Sequence, residues 1–206
     1  MRKLVVGTFL TVDGVMQAPG GPDEDREGGF EHGGWSFNYW DDVMGPIMDE
    51  FTNRADGLLL GRKTYEIFAS HWPHVTDEND PVASKLNSIP KYVASTTLDR
   101  VEWNNSTLLK GDIAEEVAKL KDQPGTEIQV TGSGQLIQTL MKHDLVDEYR
   151  LWIFPVLLGT GKRLFADGTI PAGLKLADTK TSTTGVVIHT YNRAGEIEYG
   201  SFALDQ

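Results

Sequence analysis

Two strand-to-turn junctions carry the residues of this sequence that are best suited to bind an anion. The first is the run Gly57-Leu-Leu-Leu-Gly61, which continues as Arg62-Lys63-Thr64. The second is Glu127-Ile-Gln-Val-Thr131, which continues as Gly132-Ser133-Gly134. A helical pattern follows each junction, and the free backbone N–H groups at a helix start attract anions. Two such starts in one small domain suit a ligand with several phosphates, which favours a dinucleotide.

Neither junction has a standard nucleotide-binding motif. The Walker motif places lysine directly after its last glycine, whereas Arg62 lies between Gly61 and Lys63. The dinucleotide fingerprint requires a third glycine, and Ile137 occupies that place in the second junction. A lone glycine after a strand is most often only a turn residue. The functional interpretation therefore depends on the pair of junctions and on their basic and hydroxyl neighbours.

Aromatic residues at the end of a glycine-rich segment are the candidates for a substrate pocket. They are Phe30, Trp35, Phe37, Tyr39 and Trp40. Such rings stack on a planar heterocycle, and residues 18–34 (the long loop) are rich enough in glycine to be mobile without ligand and to close as a lid. Alternatively, the rings pack the following helix onto the sheet. Both interpretations hold if only one or two rings, with Trp35 and Trp40 as candidates, face the ligand.

Alternating apolar strands and helical patterns predict an α/β fold. Strands are predicted at residues 4–11, 57–61, 91–95, 107–109, 127–130, 148–158 with an interruption at Pro155, 174–181, 186–193 and about 197–204. Helices are predicted at residues 41–53, 63–71 and 82–88, after the cap Asp112, and around residues 136–141. Because early strands alternate with helices and late strands pair as hairpins, we expect a mostly parallel central sheet with an antiparallel edge hairpin and helices on both faces. We expect a single domain over residues 1–206.

Composition excludes several classes of function. The net charge of −11 disfavours nucleic acid and anionic membranes as partners, although a few basic residues in one cleft still bind a phosphorylated ligand. The absence of cysteine excludes disulfides, thiol catalysis and zinc sites with cysteine ligands, and no metal site is predicted. The apolar run at the N-terminus is too short for a signal peptide or a membrane span, so we expect a cytoplasmic protein.

Four segments in a fixed order resemble a known family. They are Thr11-Val-Asp13-Gly14, Leu60-Gly-Arg-Lys-Thr-Tyr65, Thr131-Gly-Ser-Gly134, and Val146-Asp-Glu148 with Phe154-Pro-Val-Leu-Leu-Gly-Thr-Gly161. Together they resemble the dihydrofolate reductase-like fold, and within it the C-terminal reductase domain of the riboflavin-biosynthesis deaminase-reductases. The resemblance spans residues 2–193 and implies NADPH as the cofactor.

The resemblance also implies which residues bind the cofactor. Phosphate-binding positions of the family correspond to Gly61, Arg62, Lys63 and Thr64, the positions around the 2′-phosphate to Ser95, Thr96 and Thr97, and those around the pyrophosphate to Gly132, Ser133 and Gly134. Alternatively, residues 95–97 form an ordinary turn at the end of a strand.

The sequence departs from the family pattern in two places. Many reductases of this fold have two glycines joined by a cis peptide where this chain has Gly132-Ser133, and a cis bond before a non-proline residue costs about 3 kcal/mol, so that geometry is not predicted here. The zinc deaminase signature needs cysteines that this chain lacks, so we expect reduction alone.

The proton donor that a reduction needs is not identified by the sequence. The candidates are Asp13, which is also a candidate for substrate binding, Asp41 and Asp42. Alternatively, Asp41 and Asp42 are ordinary charges at a helix start. The loop Gly159–Arg163 either holds a substrate phosphate or is a polar turn.

The resemblance implies an NADPH-dependent reductase of a small heterocycle or imine, similar to 5-amino-6-(5-phosphoribosylamino)uracil reductase. The alternatives are a dihydrofolate or pterin reductase and a non-catalytic nucleotide-binding protein. A homodimer is expected because the family forms dimers and because residues 151–158 are apolar at every position, as in a strand covered by a second subunit. Alternatively, this run is a central strand buried in its own domain.

Overall fold

A strand whose successive side chains are nearly all apolar must be covered on both faces, and the first strand of this chain is of that kind. In the computed structural model, which describes residues 1–77 and 80–202, it pairs in parallel on both sides within an eight-stranded sheet. The strands are β1 Lys3–Thr11, β2 Ala55–Gly61, β3 Lys91–Ala94, β4 Ser106–Leu109, β5 Glu127–Thr131, β6 Glu148–Phe154, β7 Leu174–Thr181 and β8 Val187–Arg193.

The order of the strands is β4-β3-β2-β5-β1-β6-β8-β7. Neighbours from β4 to β6 are parallel, whereas β8 is antiparallel to both β6 and β7. The predicted mostly parallel sheet with an antiparallel edge hairpin is therefore confirmed. The carboxyl ends of the six parallel strands lie at one edge of the sheet.

Helices cover both faces of this sheet, as predicted. They are α1 Met44–Arg54, α2 Arg62–His71, α3 Pro81–Ser88, α4 Ile113–Asp122 and α5 Gly134–Lys142. On β2, Leu58 and Leu60 pack with α2 and α3, whereas Leu59 packs with α4 and α5, because successive side chains of a strand point to opposite faces. Helix α1 packs its buried residues against Trp152 and Phe154 of β6. In the described part of the chain, no helix is long and apolar enough to cross a membrane.

Two predicted boundaries, the end of β6 and the start of α1, differ from the structure by more than about two residues. The strand expected to reach residue 158 ends at Phe154, because the N–H of Val156 donates to the Phe154 carbonyl in a tight turn at Pro155. Helix α1 begins at Met44 rather than at Asp41, whose carboxylate accepts hydrogen bonds from the N–H groups of Val43 and Met44.

The predicted final strand near residues 197–204 is wrong over its described part. Residues 197–202 form no strand, and residues 203 and 204 lie outside the described residues. Backbone hydrogen bonds join Gly173 to Ala194 and Gly195 and close the β7–β8 hairpin. Residues 196–202 form no further strand of the sheet.

The apolar run at residues 151–158 is covered by its own chain over its strand portion. Leu151, Trp152 and Phe154 are buried against helices and strands of the same molecule. The alternative of a strand buried in its own domain therefore describes this segment, and the run by itself does not require a second subunit.

A buried ion cluster joins the amino ends of β5 and β6 across β1. The guanidinium of Arg150 donates to both carboxylate oxygens of Glu127, at 2.7 and 2.8 Å, and to Glu148 at 2.8 Å. The Cζ of Arg150 lies over the ring of Phe51, 4.6 Å from the ring centroid. Burial raises the pKa of Glu148, but the charge and hydrogen bonds of Arg150 and Lys3 outweigh burial, and the net pKa is lowered. The cluster holds charges that water does not reach, so each depends on its partners.

We predict that Arg150→Met lowers the free energy of unfolding by about 3–5 kcal/mol, because it removes the one buried cation that Glu127 and Glu148 share and leaves them only the half-exposed Arg54 and Lys3. Urea denaturation measures the change, with Lys119→Met as the control, since Lys119 forms an exposed pair with Glu116. The difference in the free energy of unfolding between wild type and variant should shrink as the pH falls. The pKa of Glu148 is lowered in the folded protein, so this carboxyl loses its contribution to stability when it is protonated. An Arg150→Met protein as stable as the control would contradict this account.

Candidate functional site

The two glycine junctions lie side by side because β2 and β5 pair in parallel, with Leu59 opposite Val130. Both strands end at the same edge of the sheet. Helix α2 begins directly after Gly61, and helix α5 begins at Gly134 after the turn at Gly132 and Ser133. The structure thus brings together the two segments that the sequence singles out for binding an anion.

Hydrogen bonds join the two turns. The N–H of Gly61 donates to Ser133 Oγ at 2.9 Å, and the N–H of Ser133 donates to Thr64 Oγ1 at 3.0 Å. The hydroxyl of Ser133 also lies 3.0 Å from Thr64 Oγ1. The side chains of Thr64 and Ser133 therefore fix the position of one helix start relative to the other.

The close approach of the turns requires a glycine at position 132. Gly132 has a φ of +60°, and a Cβ there would lie 3.0 Å from Thr64 Oγ1 and 3.3 Å from Thr64 Cγ2. Ser133 is also left-handed, with φ 56° and ψ 43°. The described residues contain no cis peptide bond, so the Gly132-Ser133 bond is trans. The turn thus reaches its shape through left-handed residues rather than through a cis bond.

The two helix starts are uncapped, unlike the start of a helix nearby. Helices α2, α4 and α5 each follow a parallel strand closely. Asp112 caps α4, and Glu115 and Glu116 lie in its first turn. Neither α2 nor α5 has a side-chain cap or an acidic residue in its first turn. Their first N–H groups and positive dipole ends therefore remain suited to an external anion, at the sheet edge where α/β folds bind ligands.

Basic and hydroxyl residues lie around these helix starts. Arg62 is exposed and forms an ion pair with Glu66 at 3.2 Å. Ala94 pairs with Gly61 across β3 and β2, so the segment Ser95–Thr97 emerges beside the start of α2. Ser95 Oγ accepts hydrogen bonds from the N–H groups of Thr97 at 3.1 Å and of Leu98 at 3.0 Å. These bonds form an ordinary turn at the end of a strand, which is the alternative to a cofactor-binding role for residues 95–97. Thr96 and Thr97 lie within that turn and are exposed.

The candidate substrate-binding tryptophans have different environments. Trp35 is 9% exposed, donates its indole N–H to the Gln17 carbonyl at 2.8 Å and contacts the ring edge of Phe154. It therefore packs the chain onto the sheet, as in the alternative interpretation. Trp40 is 45% exposed and stacks on Trp152 with ring centroids 6.1 Å apart and an interplanar angle of 8°. Of the two, Trp40 is the one that presents an open ring to a ligand.

The candidate proton donor Asp13 is a hydrogen-bonded carboxylate. It accepts from the Thr11 hydroxyl at 2.6 Å and from the N–H groups of Gly159 at 2.7 Å and Leu158 at 3.3 Å. The hydrogen bond from Thr11, together with those from the backbone, lowers the pKa of Asp13 to about 2 despite partial desolvation. Such a group is ionised at neutral pH and is poorly suited to donate a proton.

Asp41 and Asp42 lie before helix α1. The carboxylate of Asp41 accepts from the N–H and the hydroxyl of Thr183, both at 2.7 Å, and these bonds lower its pKa. Asp41 therefore ties the start of α1 to the turn of the β7–β8 hairpin, and Asp42 is exposed. Neither environment resembles the buried acid that a reduction would use.

A group of charges that was not predicted from the sequence holds the long loop. Lys162 Nζ lies 2.5 Å from a carboxylate oxygen of Asp25 and 2.5 Å from one of Glu27. Glu27 also forms an ion pair with Lys63 in the first turn of α2. The buried amide of Gln17 donates to the carbonyls of Asp25 and Glu27, at 3.1 and 3.0 Å. The acidic run at residues 23–27 was the available signal, but its partners are distant in sequence.

The basic end of the loop Gly159–Arg163 is occupied by carboxylates of the same chain. Lys162 contacts Asp25 and Glu27, and Arg163 lies 3.7 Å from Asp13 while donating to its carbonyl at 3.0 Å. This loop is therefore a turn whose basic side chains form ion pairs with carboxylates of the same chain.

A groove lies beside the helix starts rather than between them. It has a volume of about 1250 Å³ and is lined by α2 and by the loop between β3 and β4, including Tyr65, Arg100 and Trp103. Thr97 is the one predicted cofactor residue among its described lining residues. The groove therefore offers a competing location for a ligand, which a binding experiment must distinguish.

The sequence is similar to known proteins over most of its length. A model of the RibD C-terminal domain family matches residues 2–190. The uncharacterized protein YyaP of Bacillus subtilis (strain 168) is 33% identical over 201 residues, covering 94% of this chain and 96% of the relative. The uncharacterized protein YwjB of the same organism is 28% identical over 195 residues, covering 94% and 99%.

Solved structures share the fold. A crystal structure of a putative riboflavin biosynthesis protein from Shewanella sp. PV-4 is 25% identical, with a TM-score of 0.69, and covers 93% of this chain and 99% of its own. A pyrimidine reductase-like protein from Corynebacterium diphtheriae NCTC is 12% identical, with a TM-score of 0.63 and coverage of 95% and 93%. At that lower identity, the likeness shows the fold alone.

We predict that Gly132→Ala weakens NADPH binding by at least about tenfold, because the new methyl group pushes against Thr64 and shifts the two helix starts relative to each other. Fluorescence titration of NADPH measures the affinity. The control is Gly111→Ala, since Gly111 has a φ of +98° and a Cβ added there would meet nothing within 4 Å. The control should lose stability but keep its NADPH affinity; equal losses of affinity in both variants would contradict the role of the turn.

Proposed function

Because this chain belongs to the RibD C-terminal domain family, whose model matches residues 2–190, we propose that it is an NADPH-dependent reductase. The observation that carries the proposal is the pair of uncapped helix starts, α2 and α5, which Ser133 joins by hydrogen bonds to Gly61 and Thr64. Two adjacent anion-binding helix starts match the two linked phosphates of a dinucleotide.

The residues at these helix starts fit such a cofactor. A side chain at Gly132 would crowd Thr64, and the N–H of Ser133 already donates to Thr64 Oγ1, so a phosphate meets the first N–H groups of α5 there. In the proposal, residues 132–134 bind the pyrophosphate, and Arg62, Lys63 and Thr64 bind the adjoining phosphates. Arg62 and the hydroxyls of residues 95–97 meet the 2′-phosphate. When bound, NADPH supplies the hydride.

The chain's remaining contribution is to position the substrate. In the proposal, the open ring of Trp40, which lies parallel to the ring of Trp152, stacks on a planar heterocycle. This contact excludes water from one face of the heterocycle. Asp13 acts as a hydrogen-bonded anion that fixes the loop at Gly159 rather than as an acid. Since neither Asp13 nor Asp41 has a raised pKa, solvent is proposed as the source of the proton.

The proposed substrate is a small heterocycle or imine of the kind reduced in riboflavin biosynthesis, similar to 5-amino-6-(5-phosphoribosylamino)uracil. The family match and the likeness to a putative riboflavin biosynthesis protein support this class. The test is NADPH oxidation with a panel of riboflavin intermediates, dihydrofolate, quinones and cyclic imines. Oxidation with a member of the panel supports a reductase. Tight NADPH binding without oxidation by any member would indicate a nucleotide-binding protein instead.

We predict that the protein binds NADPH more tightly than NADH and that Arg62→Ala removes this preference. A charge-assisted hydrogen bond to a phosphate is worth about 1.5–3 kcal/mol, so NADPH affinity should fall about tenfold or more, with NADH nearly unchanged. Glu66→Gln is the control, because it breaks the same ion pair while keeping the guanidinium. Equal affinities of the unmodified protein for the two cofactors would refute the assignment of Arg62.

We also propose that the protein is a homodimer, on the ground of the family it belongs to. The edge strand β7 is the place for the contact, since Leu174 and Leu176 are 38% and 49% exposed there. Multi-angle light scattering should give twice the chain mass of 22.8 kDa, and Leu176→Glu should shift the protein towards monomers without unfolding it. A mass of one chain at micromolar concentration excludes the dimer.

A further inference from the structure

A carboxylate from the long loop lies at the start of α2. Glu27 belongs to a short 3-10 turn at Glu27–Gly29, and it forms ion pairs with Lys63 in the first turn of α2 and with Lys162 after β6. Helix α2 has no acidic residue in its own first turn. The negative charge at this helix start is therefore supplied by a segment more than thirty residues away in sequence.

Glu27 is charged in the folded protein and yet reachable from solvent. Hydrogen bonds from Lys162 and Lys63 lower its pKa to about 2. Its side chain remains 57% exposed, and that of Lys63 is 48% exposed. Ion pairs between exposed side chains are weak and screened by water and salt, so a ligand with several negative charges displaces such a carboxylate readily.

The rest of the long loop is anchored independently of Glu27. Phe30 and Trp35 are buried, and Asp25 keeps its own contact with Lys162 at 2.5 Å. The amide of Gln17 holds the loop backbone at residues 25 and 27. Loss of the contact between Glu27 and Lys63 therefore detaches the Glu27–Gly29 turn, the tip of the loop, from α2, while the contacts of Gln17 and Lys162 stay in place.

We propose that Glu27 is a positioning residue that occupies Lys63 in the free protein and is displaced by the phosphates of the cofactor, so that cofactor binding frees the tip of the long loop. This inference rests on the proposed function, since it takes Lys63 as a phosphate ligand. The carboxylate and the phosphate compete for one cation, and by linkage each weakens the binding of the other. The freed tip is then able to close over a substrate in a second step.

The test compares Glu27→Gln with Asp23→Asn. Both remove one negative charge from the same acidic run, but Asp23 pairs only with the nearby Arg26 among its described ion pairs. Two quantities are measured on the full chain: the Kd of NADPH by fluorescence titration and the backbone hydrogen exchange of residues 18–34 by mass spectrometry. Exposed ion pairs are weak, so Glu27→Gln should bind NADPH about two- to fivefold more tightly than Asp23→Asn.

Hydrogen exchange distinguishes competition from a merely structural role. In the wild type, NADPH alone should speed exchange around residue 27, and Glu27→Gln should show this faster exchange without cofactor and little further change on adding it. NADPH affinity equal in the two variants, weaker binding by Glu27→Gln, or unchanged exchange in the wild type on adding NADPH would each overturn the proposal. If the wild type binds no NADPH, the proposed function fails, and inorganic diphosphate then replaces it in the exchange experiment: faster exchange around residue 27 supports displacement of Glu27, and unchanged exchange overturns it.

Discussion

The arrangement of the candidate site depends on the parallel pairing of β2 with β5. This pairing places the ends of two strands from distant parts of the sequence next to each other, and it turns two separate helix starts into one anion-binding surface. The hydrogen bonds of Ser133 with Gly61 and Thr64 then fix the distance between the turns. At that distance a side chain at Gly132 would crowd Thr64, so a glycine there lets the two helix starts, with the positive ends of their dipoles, lie close together.

Local charge, rather than net charge, makes an anion site possible in this acidic protein. The chain carries a net charge of −11, but exposed charges farther away than about 8 Å are largely screened at physiological salt. What matters is that α2 and α5 lack the aspartate cap that α4 has. In the free protein, the carboxylate of Glu27, which lies outside helix α2, forms an ion pair with Lys63. In the proposal, a stronger anion replaces this carboxylate.

Regular patterns in the sequence predicted most of the fold and the location of the candidate site, whereas contacts between distant segments were not predictable. Apolar strands alternating with helices predicted the parallel sheet and its edge hairpin, and the glycine junctions marked where two helices begin. Composition does not reveal which aromatic ring is buried, so Trp35 and Trp40 looked equivalent before their surroundings were known. The contacts of Lys162 with Asp25 and Glu27 join segments more than 130 residues apart, which no local pattern encodes. The final strand was wrong because alternation of residue types cannot show whether a segment pairs with another strand.

The central claim is that the starts of α2 and α5 together hold one dinucleotide. Mapping of amide chemical shifts in ¹⁵N-labelled protein during an NADPH titration tests it most directly, because each N–H group reports its own surroundings. The account predicts that the largest changes fall on residues 61–64, 95–97 and 132–135 and saturate with a single Kd. Large changes confined to the groove lined by Tyr65, Arg100 and Trp103, with none at Gly132 to Gln135, would contradict it.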